Sequence, residues 1–307
     1  METFPQIEKI TRRETNLEVP PTGGTFISIL RNGDDYRGNP KQLEEARNFP
    51  EGLEVGKLMP SAALEARTFS ENQLAGLIEK LTPEEREQLD IIVVASDTEL
   101  GPLATSDGST PFPHQRCVET GKFLLEGIEK AMSDTGLNSE HLLNLKFHKD
   151  EEAGGAQPLA IRDIEDLQMR PRTEEFFAFL KAQAAERISK GQKANIWVMY
   201  ETDEFKKERE EMNVEGPEEI SARMQAFIDR AEKLASAQHK RTPDRRLLVL
   251  AVAPRDLVGP WLNIQVAGLS PEGYEIPRIE NLAGFGVVIS PNGQSRIKLG
   301  DKEAVLN

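Results

Sequence analysis

Cysteine is almost absent from this chain: Cys117 stands alone among 307 residues, so no internal disulfide can form and a reducing setting is the default. Long apolar runs are absent too, and no stretch approaches the roughly 20 apolar residues that a membrane-spanning helix needs. The opening residues, METFPQIEKITRRETNLEVPPTGG, lack the apolar centre of a secretory signal. Positive charge is in deficit, with 38 Lys and Arg against 52 Asp and Glu and a net charge of −14. That balance argues against a general electrostatic grip on nucleic acid or anionic lipid, so any anion site must be a local basic pocket. Together these shortages predict a cytoplasmic protein with neither a nucleic acid nor a membrane as partner.

What is present is a lean but globular composition, 38% hydrophobic and 29% charged. Residues 1–24 mix charge with Pro20, Pro21, Gly23 and Gly24 and are expected to be a poorly ordered tail. A single α/β domain is predicted over 25–307, with a charged insertion at about 150–213. FISIL at 26–30 is an apolar run ended by Arg31, Asn32, Gly33 and Asp34, which predicts a buried strand entering a turn. Ser70 and Gln73 have capping-box spacing and predict a helix start before Leu74, Leu77, Ile78 and Leu81. Thr82, Pro83 and Glu85 start another helix, and residues 90–96, DIIVVAS, form the next strand.

Cys117, Gly121, Leu124, Ile128 and Met132 share one face of a helix ending near Gly136. LLNLKFH, residues 142–148, suggests a third strand, while NIWVMY at 195–200 fits helix or strand. The Phe176, Phe177 and Phe179 group suits core or interface packing better than a substrate box. A long helix after Gly216 and Pro217 is expected to bury Ile220, Met224, Phe227, Ile228, Ala231 and Leu234. LLVLAVA at 247–253 is the most apolar strand, followed after Pro254 by a helix with Leu257, Trp261, Leu262 and Ile264. FGVVIS and QSRIKL then flank Pro291, Asn292 and Gly293 as a closing hairpin.

Strands alternating with amphipathic helices predict a three-layer α/β sandwich, a mostly parallel sheet with helices on both faces. Ligands of such sheets gather outside the carboxyl ends of the strands. Three arginines fall there: Arg31 after FISIL, Arg116 at the start of its helix and Arg255 after LLVLAVAP. Guanidinium forks near a helix N-terminus suit phosphate oxygens, and free backbone N–H groups add donors. Taken singly, each has a plainer explanation. Arg31, Asn32 and Gly33 make an ordinary turn, Arg116 is a solvated helix start, and Arg255 pairs with Asp256 or an acidic loop.

SILRNGDD and HQRCVETGKFLLEGI, with the later GPEEISARMQAFIDRAEKL and LLVLAVAPRDLVGPWL, resemble the histidine phosphatase superfamily, the phosphoglycerate-mutase-like proteins. In that family the first strand ends in Arg-His-Gly and a later helix starts Arg-Ala-x-x-Thr-Ala. The matching residues here are Arg31, Asn32 and Gly33, and Arg116, Cys117, Val118, Glu119, Thr120 and Gly121. The resemblance implies a phosphoglycerate-mutase-like fold over most of residues 25 to 300. It also implies a phosphate pocket of two arginines and a second histidine, with a histidine nucleophile and a carboxylic acid that protonates the leaving group.

Both histidine positions are changed. Asn32 occupies the nucleophile position, and its amide nitrogen, delocalised into the carbonyl, cannot take a phosphoryl group. Pro254 falls at the second histidine, with Arg255 beside it. LAIRDIEDL resembles the acid-bearing stretch and puts Asp163 at the general acid, with Glu165 as a second candidate. Of the four histidines, His114 and His148 lie where they would approach the pocket, whereas His141 and His239 have helical contexts. The expectation is a pseudo-phosphatase that binds a small phosphorylated molecule or a phosphoprotein through Arg31, Arg116 and Arg255, with no cofactor and no metal. One alternative is an active phosphomonoester hydrolase with a non-family nucleophile. Another is a structural or interaction protein using the charged insertion. Oligomeric state is not legible in the sequence.

Overall fold

Alternation explains the centre of the molecule. A computed structural model describes residues 9–33, 42, 58–96, 116–143, 162–163, 167, 174–268 and 278–306. Its strands are β1 (Lys9–Ile10), β2 (Thr25–Arg31), β3 (Leu89–Ala95), β4 (Arg162–Asp163), β5 (Arg246–Ala253), β6 (Arg278–Ile279), β7 (Gly284–Ile289), β8 (Ser295–Leu299) and β9 (Lys302–Val305). The helices are α1 (Pro60–Ile78), α2 (Pro83–Glu87), α3 (Arg116–Thr135), α4 (Glu174–Ser189), α5 (Ile196–Glu201), α6 (Lys206–Glu211), α7 (Pro217–Arg241) and α8 (Arg255–Trp261).

A mixed sheet runs β4-β3-β5-β2-β7-β8-β9. β4, β3, β5 and β2 are mutually parallel, whereas β7, β8 and β9 join through antiparallel pairings. The strand side chains divide by parity, as the two-residue repeat of a strand requires. Phe26, Leu30, Ile91, Val93, Leu248 and Leu250 pack with Leu74, Leu77, Leu124 and Ile128 of α1 and α3. Ile27, Ile29, Val249, Ala251 and Val287 pack with Phe176, Tyr200, Met224, Ile228 and Trp261 of α4, α5, α7 and α8. Helices thus cover both faces of the central strands, which is why those strands read as unbroken apolar runs. Trp261 stacks on Phe285 at 5.0 Å, adding about 1 kcal/mol to the area it buries.

Several expectations change. The N-terminal segment is no loose tail from residue 9 onward: β1 pairs with β6, and Ile10, Thr15 and Leu17 are buried. Thr15 Oγ1 accepts a hydrogen bond from the Gly284 N–H at 2.9 Å, and Leu17 N–H donates to Gln73 Oε1 at 3.0 Å. Ser70 does not begin a helix but lies inside α1, which starts at Pro60. Its hydroxyl lies 3.2 Å from the Ala66 carbonyl and 2.8 Å from the Leu124 carbonyl on α3, so its polarity is absorbed inside the helix pair. Leu234 is exposed, at the margin of an α7 face whose buried line continues to Ala235.

In LLNLKFH, Leu142 forms an isolated parallel bridge to Ile91, and residues 144–148 lie outside the described residues. NIWVMY is helical from Ile196 onward, as α5. From the charged stretch, β4 pairs with β3, and Leu167, Phe176, Leu180, Met199 and Tyr200 join the core of the α7 face. No helix among the described residues is long and apolar enough to cross a membrane.

Candidate functional site

The parallel register brings the predicted strand ends to one edge. Arg31 pairs with Ala253, Ala95 with Val252, and Ala95 with Asp163. Asn32 extends β2 by one residue, its N–H donating to the Ala253 carbonyl at 3.2 Å. The turn that follows is seated on α3. Gly33 N–H donates to Thr120 Oγ1 at 3.0 Å, and the Thr120 hydroxyl donates to the Arg116 carbonyl at 2.7 Å. Glycine suits the close approach: a β-carbon at 33 would stand 2.8 Å from Leu58 Cδ1 and 3.2 Å from Ala62 Cβ, so the Leu58 side chain would have to shift. The turn after β2 and the first turn of α3 are thus one hydrogen-bonded unit.

Asn32 is 2% exposed. Its Nδ2 donates to the Gly33 carbonyl at 2.6 Å, which fixes the amide orientation, since the reverse would set two acceptors against each other. Oδ1 is buried and, among the described residues, has no hydrogen-bond partner. An unmet buried acceptor costs about 1–3 kcal/mol, and such groups in a native fold call for a reason.

Arg31 and Asn32 are successive residues and leave the strand on opposite faces. Arg31 lies in the parity of Ile27 and Ile29, and its Nη1 donates to the Ile279 carbonyl at β6. Arg116 heads α3, on the face of Phe26 and Leu30. The two arginines therefore approach the carboxyl edge of the sheet from opposite sides. Arg255 opens α8 just beyond β5, where its Nη1 lies 2.9 Å from Glu201 Oε1 and 3.6 Å from Asp256 Oδ1. Glu201 is 1% exposed, so this cation is already matched by a buried carboxylate.

Asp163 lies in β4, one strand beyond β3 on the same edge. At 4.8 Å per strand its backbone is about 14 Å from β2. Glu165 lies outside the described residues, as do His114 and His148. The two described histidines are at the opposite edge. His141 sits 3.7 Å from Asp90 Oδ1 near the start of β3, and His239 packs against Gly23 ahead of β2. Among the described residues, then, no histidine borders the Asn32 turn, and none of the His, Cys, Asp and Glu side chains form a metal-binding group.

Sequence reasoning did not single out Thr120 as the link or Glu201 as the counter-ion. Thr120 had a signal, because it falls four residues after Arg116, one helical turn on. Glu201 had none, because its segment reads equally as strand or helix. No protein-family model matches this chain, and no curated protein matches it either.

Proposed function

We propose that this chain is a divergent member of the histidine phosphatase superfamily, with that family's three-layer fold, that binds a phosphorylated ligand or partner without phosphohistidine chemistry. The observation that carries the proposal is the link from Gly33 N–H through Thr120 Oγ1 to the Arg116 carbonyl. It joins two segments that are far apart in sequence and that the resemblance assigns to one phosphate pocket. The 20-residue α3 turns the positive end of its dipole toward this edge, and Arg116 adds charge there. Arg31 approaches from the other face of the sheet, while Arg255 is engaged by Glu201 and contributes less.

Asn32 in the nucleophile position offers no atom that attacks phosphorus. The pocket therefore holds a phosphoryl group and does not turn it over. Calorimetric titration with inorganic phosphate tests this. Arg31→Ala and Arg116→Ala should each weaken binding about tenfold or more, the range expected for one charge-assisted hydrogen bond. An aryl phosphate should be left intact by all three proteins. Equal, negligible phosphate binding by wild type and both variants would remove the pocket.

A further inference from the structure

We infer that the N-terminal segment, acting through Glu280, sets the position of Arg31 and with it the anion affinity of the pocket, which makes Glu280 a positioning residue. The inference rests on the proposed phosphate pocket and names what holds its first arginine in place. Residues 279–284 clasp Arg31 by three hydrogen bonds. Arg31 N–H donates to the Ala283 carbonyl at 2.9 Å, the Arg31 carbonyl accepts from the Leu282 N–H at 3.0 Å, and Arg31 Nη1 donates to the Ile279 carbonyl. The turn closes on itself, with Ala283 N–H donating to the Glu280 carbonyl at 3.0 Å. Within it Leu282 is buried at φ +61°, a left-handed conformation that a non-glycine residue keeps only where its surroundings impose it.

The N-terminal segment supplies that constraint at both ends of the clasp. At one end Glu280 N–H donates to the Ile10 carbonyl at 3.0 Å, Arg12 N–H donates to Glu280 Oε2 at 3.2 Å, and Lys9 Nζ lies 2.8 Å from Glu280 Oε1. At the other end Thr15 Oγ1 accepts from the Gly284 N–H at 2.9 Å. The segment is anchored in turn on α1, where Arg12 meets Glu65 at 2.6 Å and Leu17 N–H meets Gln73 Oε1. The bonds from Lys9 and the Arg12 N–H hold Glu280 below the ordinary carboxylate range, so it is charged at neutral pH. An arginine side chain has much rotamer freedom to lose when it grips a ligand. A carbonyl held in place on β6 removes part of that freedom beforehand, and it orients the guanidinium without neutralising it.

Phosphate titrations of wild type, Glu280→Gln, Arg31→Ala and the double variant form a mutant cycle that tests this. Glu280→Gln removes the charge opposite Lys9 and should weaken binding about threefold, the scale of an exposed ion pair. In the Arg31→Ala background the same substitution should change affinity by less than about 1.5-fold, because the side chain being positioned is gone. A general structural loss would act equally in both backgrounds. Lys9→Met breaks the same tie from the other side, so it should repeat the effect of Glu280→Gln and add nothing to it. Unchanged affinity in Glu280→Gln, or an equal loss with and without Arg31, would overturn the inference while leaving the pocket standing. Failure of wild type to bind phosphate would overturn the pocket itself, and the inference with it.

Discussion

Arg209 shows how a single side chain organises the chain ahead of α7. Its guanidinium makes a two-pronged contact with Asp203, at 2.6 and 3.0 Å, and its Nη1 donates to the Val214 carbonyl at 2.7 Å. Both charged side chains are almost wholly buried, at 6% and 4% exposure. Arg209→Ala should therefore cost about 3 kcal/mol in urea unfolding, because it strands a buried carboxylate, and Arg209→Lys should not restore the loss. Unchanged stability in Arg209→Ala would show the pair to be idle. At this scale the arginines of the candidate site were legible in the sequence, since Arg31 and Arg255 follow apolar strand runs and Arg116 starts a helix with an apolar face. What the Asn32 amide faces was not legible, because a one-dimensional pattern carries no hydrogen-bond direction. Nor was the Arg255 to Glu201 pairing, which joins residues 54 positions apart.

Elements depend on close approaches that spacing only hints at. α1 and α3 cross at Gly127, where a β-carbon would collide with the Arg67 carbonyl and the Ser70 hydroxyl. Gly127→Ala should cost about 2 kcal/mol by forcing the helices apart, measured by thermal or urea unfolding. The N-terminal segment is capped locally by one carboxylate, Glu14, and tied to the fold by another, Glu280. Hydrogen bonds from the Thr11 side chain and backbone hold Glu14 below the ordinary carboxylate range, and contacts with Lys9 and the Arg12 N–H do the same for Glu280. With folded values depressed, their stabilisation is present above the ordinary range and fades as pH falls through the lowered values. The double variant Glu14→Gln/Glu280→Gln should therefore lose less stability than wild type between pH 7 and pH 3, and equal acid losses would argue against these ties.

Truncating residues 1–17 should lower the urea midpoint, as burial of Ile10, Thr15 and Leu17 requires. An unchanged midpoint would return the segment to a loose tail. The core strands and α7 were legible because their apolar periodicity is long. The N-terminal ties were not, because β1 and β6 are two residues each and form only across the fold. The start of α1 was hidden by a serine that mimics a cap while bonding inside a helix pair.

On the scale of the whole molecule, a net charge of −14 coexists with arginines gathered at one sheet edge. The parallel register does the gathering, since Arg31, Ala253, Ala95 and Asp163 all fall at the same end of their strands. The sequence predicts the α/β class and the helix-covered central strands from their unbroken apolar runs. It also predicts the antiparallel hairpin of β7 and β8 but not β9, whose short charged strand has no apolar signature. The most direct measurement is a calorimetric titration of wild type and the double variant Arg31→Ala/Arg116→Ala with inorganic phosphate. One saturable site in wild type and none in the variant is the predicted result. No binding by wild type, or the same affinity in both proteins, would contradict it.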